Sequence, residues 1–123
     1  MDELRPDLGL LTESWQRRLR LQDWRISVRY ATSRAEINDT FAQTTTSLNL
    51  KEARVLICPP ELIDPGRLGC KCIETTLVHE LIHLHSSPLE KNMAESDKLN
   101  NAALETMIEC IAQALVAMRR DLN

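Results

Sequence analysis

Thr76-Leu77-Val78-His79-Glu80-Leu81-Ile82-His83-Leu84 is the stretch on which the reading of this chain turns. Its centre is H-E-x-x-H, with uncharged and mostly apolar flanks. On an α-helix, residues i and i+4 stand one above the other, about 6 Å apart along the axis. His79 and His83 can therefore each turn a ring nitrogen toward one metal ion, with Zn–N bonds of about 2.0–2.1 Å. Glu80 follows the first histidine by one residue, so it sits beside the metal rather than on it. That placement suits a carboxylate that takes a proton from metal-bound water. Leu77, Leu81 and Leu84 repeat on another face and give the helix a core side. The bland alternative is a buried amphipathic helix with two incidental histidines. The glutamate after the first histidine and the uncharged pair between the two favour the metal.

The rest of the chain bounds the answer. With 123 residues it is expected to form one domain. The net charge is −3, with both signs interspersed and no run of Lys or Arg. Dedicated nucleic-acid binding is not expected on that charge pattern. No apolar run approaches the roughly 18 residues of a membrane span, so no membrane partner is expected. Met1-Asp2-Glu3 is acidic and lacks the layout of a secretory signal. The expectation is a soluble protein of a reducing cytoplasm. There, Cys58, Cys70, Cys72 and Cys110 stay as thiols, read as small residues in or near the core. A second metal, or a thiol capping the zinc, is the functional alternative for them.

In chain order, Leu8, Leu11, Trp15 and Leu19 predict an amphipathic helix over 7–21, with Arg17, Arg18 and Arg20 on its solvated side. Trp24, Ile26, Val28 and Tyr30 alternate with polar residues and predict a half-buried strand. Residues 31–39 read as a loop. Thr40 to Thr46 reads as a strand exposed on one side. Residues 47–51 read as a turn, and Glu52 to Cys58 as the returning strand, closed by Pro59-Pro60. A connection through Asp64-Pro65-Gly66 and Gly69 leads to the H-E-x-x-H helix, read as starting near Cys70. Ser86-Ser87-Pro88 is expected to end that helix, and 88–99 to form a loop. Asn100-Asn101 would cap a last helix reaching Arg120, with Leu104, Met107, Ile108, Ile111, Leu115 and Met118 as its buried stripe. Arg119 and Arg120 suit its C-terminal dipole. The expected class is α+β: a helix, a small three-stranded and mostly antiparallel sheet, then two helices.

A catalytic zinc commonly has three protein ligands and an open position. His85 lies two residues past His83, about 200° around the helix, and reaches the metal only if the helix unwinds. The remaining source is a carboxylate on the last helix. Glu105 and Glu109 are four residues apart and share a face. Either can ligate while the other holds a ligand histidine in its tautomer. A pair of surface glutamates is the alternative.

The order of strand pair, H-E-x-x-H helix and glutamate helix resembles the gluzincin metallopeptidases. His79, Glu80 and His83 match the first motif of that clan. Glu105 followed by Glu109 matches the second, with Glu where many members have Asp. The resemblance implies that Glu105 is the third zinc ligand, that Glu109 supports a histidine, and that residues 1–123 form a minimal zincin-like domain. The small size and Trp24-Arg25-Ile26-Ser27-Val28 are similar to metallopeptidase-like proteins of phage and prophage, which implies a host cytoplasm. The implied activity is zinc-dependent hydrolysis of peptide bonds in a peptide or unfolded protein, with Glu80 as general base. The strand from Thr40 to Thr46 would pair with an extended substrate. Larger gluzincins place a Tyr or His beyond the glutamate helix to stabilise the oxyanion. Here Tyr30 lies far upstream, so activity is expected to be weak, to rest on zinc alone or to need a regulatory protein partner. The competing reading is a non-catalytic, zinc-containing binding or assembly module.

Overall fold

The computed structural model describes residues 5–38, 40–63, 72–92 and 98–122. The fold is α+β, with helix α1 (Leu8–Arg18), strands β1 (Arg25–Tyr30), β2 (Ala42–Ser47) and β3 (Glu52–Ile57), and helices α2 (Ile73–Lys91) and α3 (Lys98–Leu122). Asp7 caps α1 by accepting from the Leu10 amide at 3.1 Å. Gln16 then ties down the following turn by donating to the carbonyls of Leu21 and Trp24.

The sheet order is β1-β3-β2. The β2–β3 hairpin is antiparallel, and β1 runs parallel to β3, so the sheet is mixed. The central strand shows the alternation of a sheet with one packed face: Ala53, Val55 and Ile57 are buried, whereas Arg54 is exposed. α1 packs on β1, and α2 lies across β2 and β3. α3 packs against α2. α2 is therefore the hub of the core, and Leu77, Val78, Leu81 and Leu84 are almost wholly buried. The expected loop after β1 is not plain loop over 31–38, residue 39 lying outside the described residues: a 3-10 turn at Ala35–Ile37 buries Ile37 in a small satellite core with Ala31 and Cys58.

Three expectations about α2 and α3 are corrected. α2 does not stop at Ser86-Ser87-Pro88 but continues to Lys91. Proline has no amide hydrogen to give the carbonyl one turn back, which here belongs to Leu84. The Ser87 hydroxyl donates to that carbonyl at 3.2 Å instead, so the helix passes the proline. α3 is already helical at Lys98, so Asn100-Asn101 lie inside it rather than cap it. The rest of the expected 88–99 loop, at 93–97, lies outside the described residues, as do Cys70 and the Asp64-Pro65-Gly66 to Gly69 connection.

The third correction concerns the buried stripe of α3. Ile108, Ala112 and Val116 are buried, while Met107, Ile111 and Met118 are 51%, 41% and 58% exposed. Leu104 and Leu115 are intermediate. The helix is turned so that Glu105, Glu109 and Arg119 also face α2. Polar partners set its rotation, and Met107, Ile111 and Met118 are left exposed. The cysteines divide in a similar way. Cys58 is buried, but Cys72 and Cys110 are exposed thiols rather than core residues. Cys72 precedes α2, where its sulfur accepts from Arg120. Burial pushes the Cys72 thiol up, but the Thr75 amide and hydroxyl and Arg120 outweigh this and hold it below its ordinary range.

A buried ion pair joins the first turn of α2 to the end of α3. Glu74 is 5% exposed. It accepts two hydrogen bonds from Arg119, at 2.6 and 2.7 Å, and one from the Trp15 indole at 2.7 Å. Arg119 thus does more than answer a helix dipole: it clamps three helices through one carboxylate. Burial raises the Glu74 carboxyl, but Arg119, Trp15 and Arg120 together outweigh it and hold the group below its ordinary range.

Arg119→Ala should lower the unfolding free energy by about 3 kcal/mol, because it strands a buried charge; urea denaturation at neutral pH measures it. The pH dependence has a definite sign. A carboxyl depressed in the folded state contributes fully above its unfolded value, and that contribution is lost as pH falls through the folded one. Wild type and Glu74→Gln should therefore differ in stability at neutral pH and converge as the pH falls below the ordinary carboxylate range. A gap that persists undiminished in acid would show that the ionised carboxylate is not what stabilises the fold.

Candidate metal centre

His79 and His83 project from successive turns of α2, with ring centroids 5.1 Å apart. His79 is buried and His83 intermediate. Each ring is held by a different carboxylate. His79 Nδ1 is 2.7 Å from Glu109 Oε1, across the α2–α3 contact. His83 Nδ1 is 2.9 Å from Glu90 Oε2, on the last turn of α2. A carboxylate is only an acceptor, so each Nδ1 is assigned as the N–H donor. Gln113 donates to the second Glu109 oxygen at 2.8 Å, and Ser86 donates to Glu90 at 2.5 Å. Both supporting carboxylates are thus fixed in turn.

With Nδ1 engaged, both Nε2 atoms point to one place, and Glu105 is there. Its carboxylate lies 2.9 Å from His79 Nε2 and 3.0 Å from His83 Nε2. The three ligand atoms lie within 4.8 Å of one another. A tetrahedral ion with bonds of about 2.0–2.1 Å needs donor atoms about 3.3 Å apart, so this group fits a metal ion. The donor chemistry agrees. An imidazole whose Nδ1 carries the hydrogen offers a lone pair at Nε2, and a carboxylate also offers only lone pairs. Two imidazoles and a carboxylate meeting in this way call for positive charge between them: a proton on each ring, or one cation shared by all three.

The electrostatics reflect this demand. Burial pushes the His83 imidazole down, but the Glu90 hydrogen bond and the charges of Glu105, Glu90 and Glu80 outweigh it and hold it above its ordinary range. Burial also raises Glu90, but hydrogen bonds from Ser86 and His83 leave it below its ordinary range.

Glu80 is half-buried and lines a cleft of about 480 Å³ together with His79, His83 and Glu105. The opposite wall is β2, the edge strand of the sheet, whose Thr44 hydroxyl donates to Glu80 Oε1 at 2.5 Å. His85 turns away from the group, as its position around the helix requires, with Nε2 2.6 Å from the carbonyl of Leu19. Tyr30 is engaged elsewhere, donating to the Pro6 carbonyl at 2.7 Å.

Two residues of the site escaped the sequence reading. Glu90 is seven residues past His83 and falls on its face of the helix only if the helix survives Pro88, and the proline hid that. Thr44 was one of several threonines in a strand. Its pairing with Val55, which is buried, would have marked it as facing α2. Comparison with protein-family models, with curated proteins and with solved structures finds no match.

In a chelator competition with zinc as the probe, Glu105→Ala should bind far more weakly than the other variants. Glu109→Ala and Glu90→Ala should each lose about 10–100-fold, the usual effect of removing a group that orients a ligand. An inverted order, with Glu109→Ala or Glu90→Ala emptying the site and Glu105→Ala still loaded, would reassign the third ligand.

Proposed function

We propose that this chain is a zinc-dependent peptidase of gluzincin-like type, hydrolysing peptide bonds in an extended peptide or unfolded protein. The observation that carries the proposal is the setting of Glu80. This carboxylate stands beside the His79, His83 and Glu105 group and faces a cleft bordered by β2, an edge strand of the sheet among the described residues. A site that only pins the fold together has no use for a fourth carboxylate open to a cleft. That favours catalysis over the non-catalytic binding or assembly module.

Zinc held by His79, His83 and Glu105 would supply a Lewis acid and lower the pKa of a water molecule to about 7. The protein's own residues then divide the work. Glu109 and Glu90 keep both imidazoles in the tautomer that presents Nε2. Glu80 accepts the proton of the attacking water and returns it to the departing amine. The outer edge of β2, an edge strand among the described residues, offers backbone hydrogen bonds to an extended chain lying in the cleft. No tyrosine or third histidine is among the described residues lining that cleft. This reading assigns no tyrosine or histidine as oxyanion donor among the described residues, and modest turnover, or turnover assisted by a protein partner, is expected.

Purified protein never exposed to chelator should carry one zinc per chain by elemental analysis, and should cleave an unstructured protein such as casein. Glu80→Gln should keep both zinc and fold yet lose about 10²–10⁴-fold in rate, because an amide cannot accept the proton. If casein is cleaved equally fast by wild type and Glu80→Gln, Glu80 is not the base.

A further inference from the structure

We infer that Thr44 is a positioning residue for Glu80: from the edge strand, its hydroxyl holds one oxygen of that carboxylate and so presents the other to the cleft. The inference rests on the peptidase reading for its functional meaning, but its geometry stands on the strand register. β2 pairs with β3 so that Thr44 lies opposite Val55. Cross-strand partners share a face, and Val55 is 1% exposed. Thr44 therefore points inward, toward α2, whereas its neighbour Thr45 is exposed.

The bond itself is short, 2.5 Å between Thr44 Oγ1 and Glu80 Oε1, at the lower end of the range for a hydroxyl donating to an ionised carboxylate. Among the described residues, no other hydrogen bond reaches the Glu80 carboxylate. A glutamate side chain has several rotatable bonds, and ordering it has an entropic cost. Thr44 supplies the restraint at the far end of the chain. It leaves Oε2 as the oxygen available to take a proton. The strand that carries Thr44 is also the wall against which an extended substrate would lie, so base and substrate share one frame of reference. Valine at this position would keep the shape and the β-branching suited to a strand while deleting the hydroxyl. Serine would keep the hydroxyl and lose the methyl group.

The test uses zinc-loaded wild type, Thr44→Val, Thr44→Ser and Glu80→Gln. The first readout is kcat and KM on a cleaved peptide. The second is calorimetric affinity for a peptidyl hydroxamate, which loses its hydroxyl proton on binding a metal and so reports on the neighbouring carboxylate. In Thr44→Val, kcat should fall about 10–100-fold. KM and zinc affinity should stay within about twofold, while the hydroxamate binds about tenfold more weakly. Thr44→Ser should restore both. The inference is overturned if Thr44→Val binds the hydroxamate as wild type does. It is also overturned if Thr44→Ser is as impaired as Thr44→Val, since the methyl group and not the hydroxyl would then be what counts. If wild type cleaves nothing, the peptidase reading fails on its own. The hydroxamate comparison still decides the role of Thr44: weaker binding in Thr44→Val with recovery in Thr44→Ser upholds it, and equal binding removes it.

Discussion

The hydrogen bond between His79 and Glu109 is the constraint on which this structure turns. α2 is packed against α1, the sheet and α3, and its side chains are largely buried from Ile73 to His79. A buried imidazole needs a partner for each nitrogen, because an unsatisfied polar group in the interior is costly. Glu109 answers Nδ1, and that bond, together with the Glu74–Arg119 pair, fixes the rotation of α3 against α2. Glu105, one turn earlier, is thereby brought to the other side of the ring. Ile108, Ala112 and Val116 fill the apolar part of the same face. At the opposite end of the pair, Glu74 and Arg119 lock the contact with a buried carboxylate and a two-pronged guanidinium. A planar fork of this kind fixes orientation as well as distance.

The same logic explains why α2 is longer than its serine- and proline-rich end suggests. His83 also needs a partner at Nδ1, and among the described residues α3 supplies none there. Glu90 does so from two turns farther along α2. The helix must therefore run past Pro88, and the Ser87 hydroxyl caps the carbonyl that the proline leaves unserved. The two histidines end up in matched settings, each held from behind by its own carboxylate and each facing Glu105. Arrangements of this kind orient metal ligands before any ion arrives and raise their basicity.

The sheet contributes a wall. Because β3 is central and β2 lies at the edge among the described residues, the antiparallel hairpin sets an edge strand next to the motif helix. Its inward residues meet α2, and one of them, Thr44, meets Glu80. The parallel partner β1 lies at the other edge of the sheet and serves the core through Ile26, Val28 and Tyr30.

Much of this was decided locally and so could be read from the chain alone. The i, i+4 histidines follow from helix periodicity, the strands from alternation, and the pairing of Glu105 with Glu109 from their spacing. His85 was correctly set apart, because a position two residues on cannot share the face of His83. What local pattern could not supply was anything that depends on which surface packs where. The apolar residues of α3 form more than one face, and periodicity cannot tell which of them is buried; the polar contacts to α2 decided for Ile108, Ala112 and Val116 over Met107, Ile111 and Met118. The sequence read Pro88 as an end, because the compensating hydroxyl matters only when something downstream rewards continuing the helix. Glu74 and Arg119, 45 positions apart, and Thr44 and Glu80, 36 apart, are invisible to any local pattern. Residue types and spacings determine which side chains can do chemistry, but the packing of α2 against its neighbours determines which of them meet.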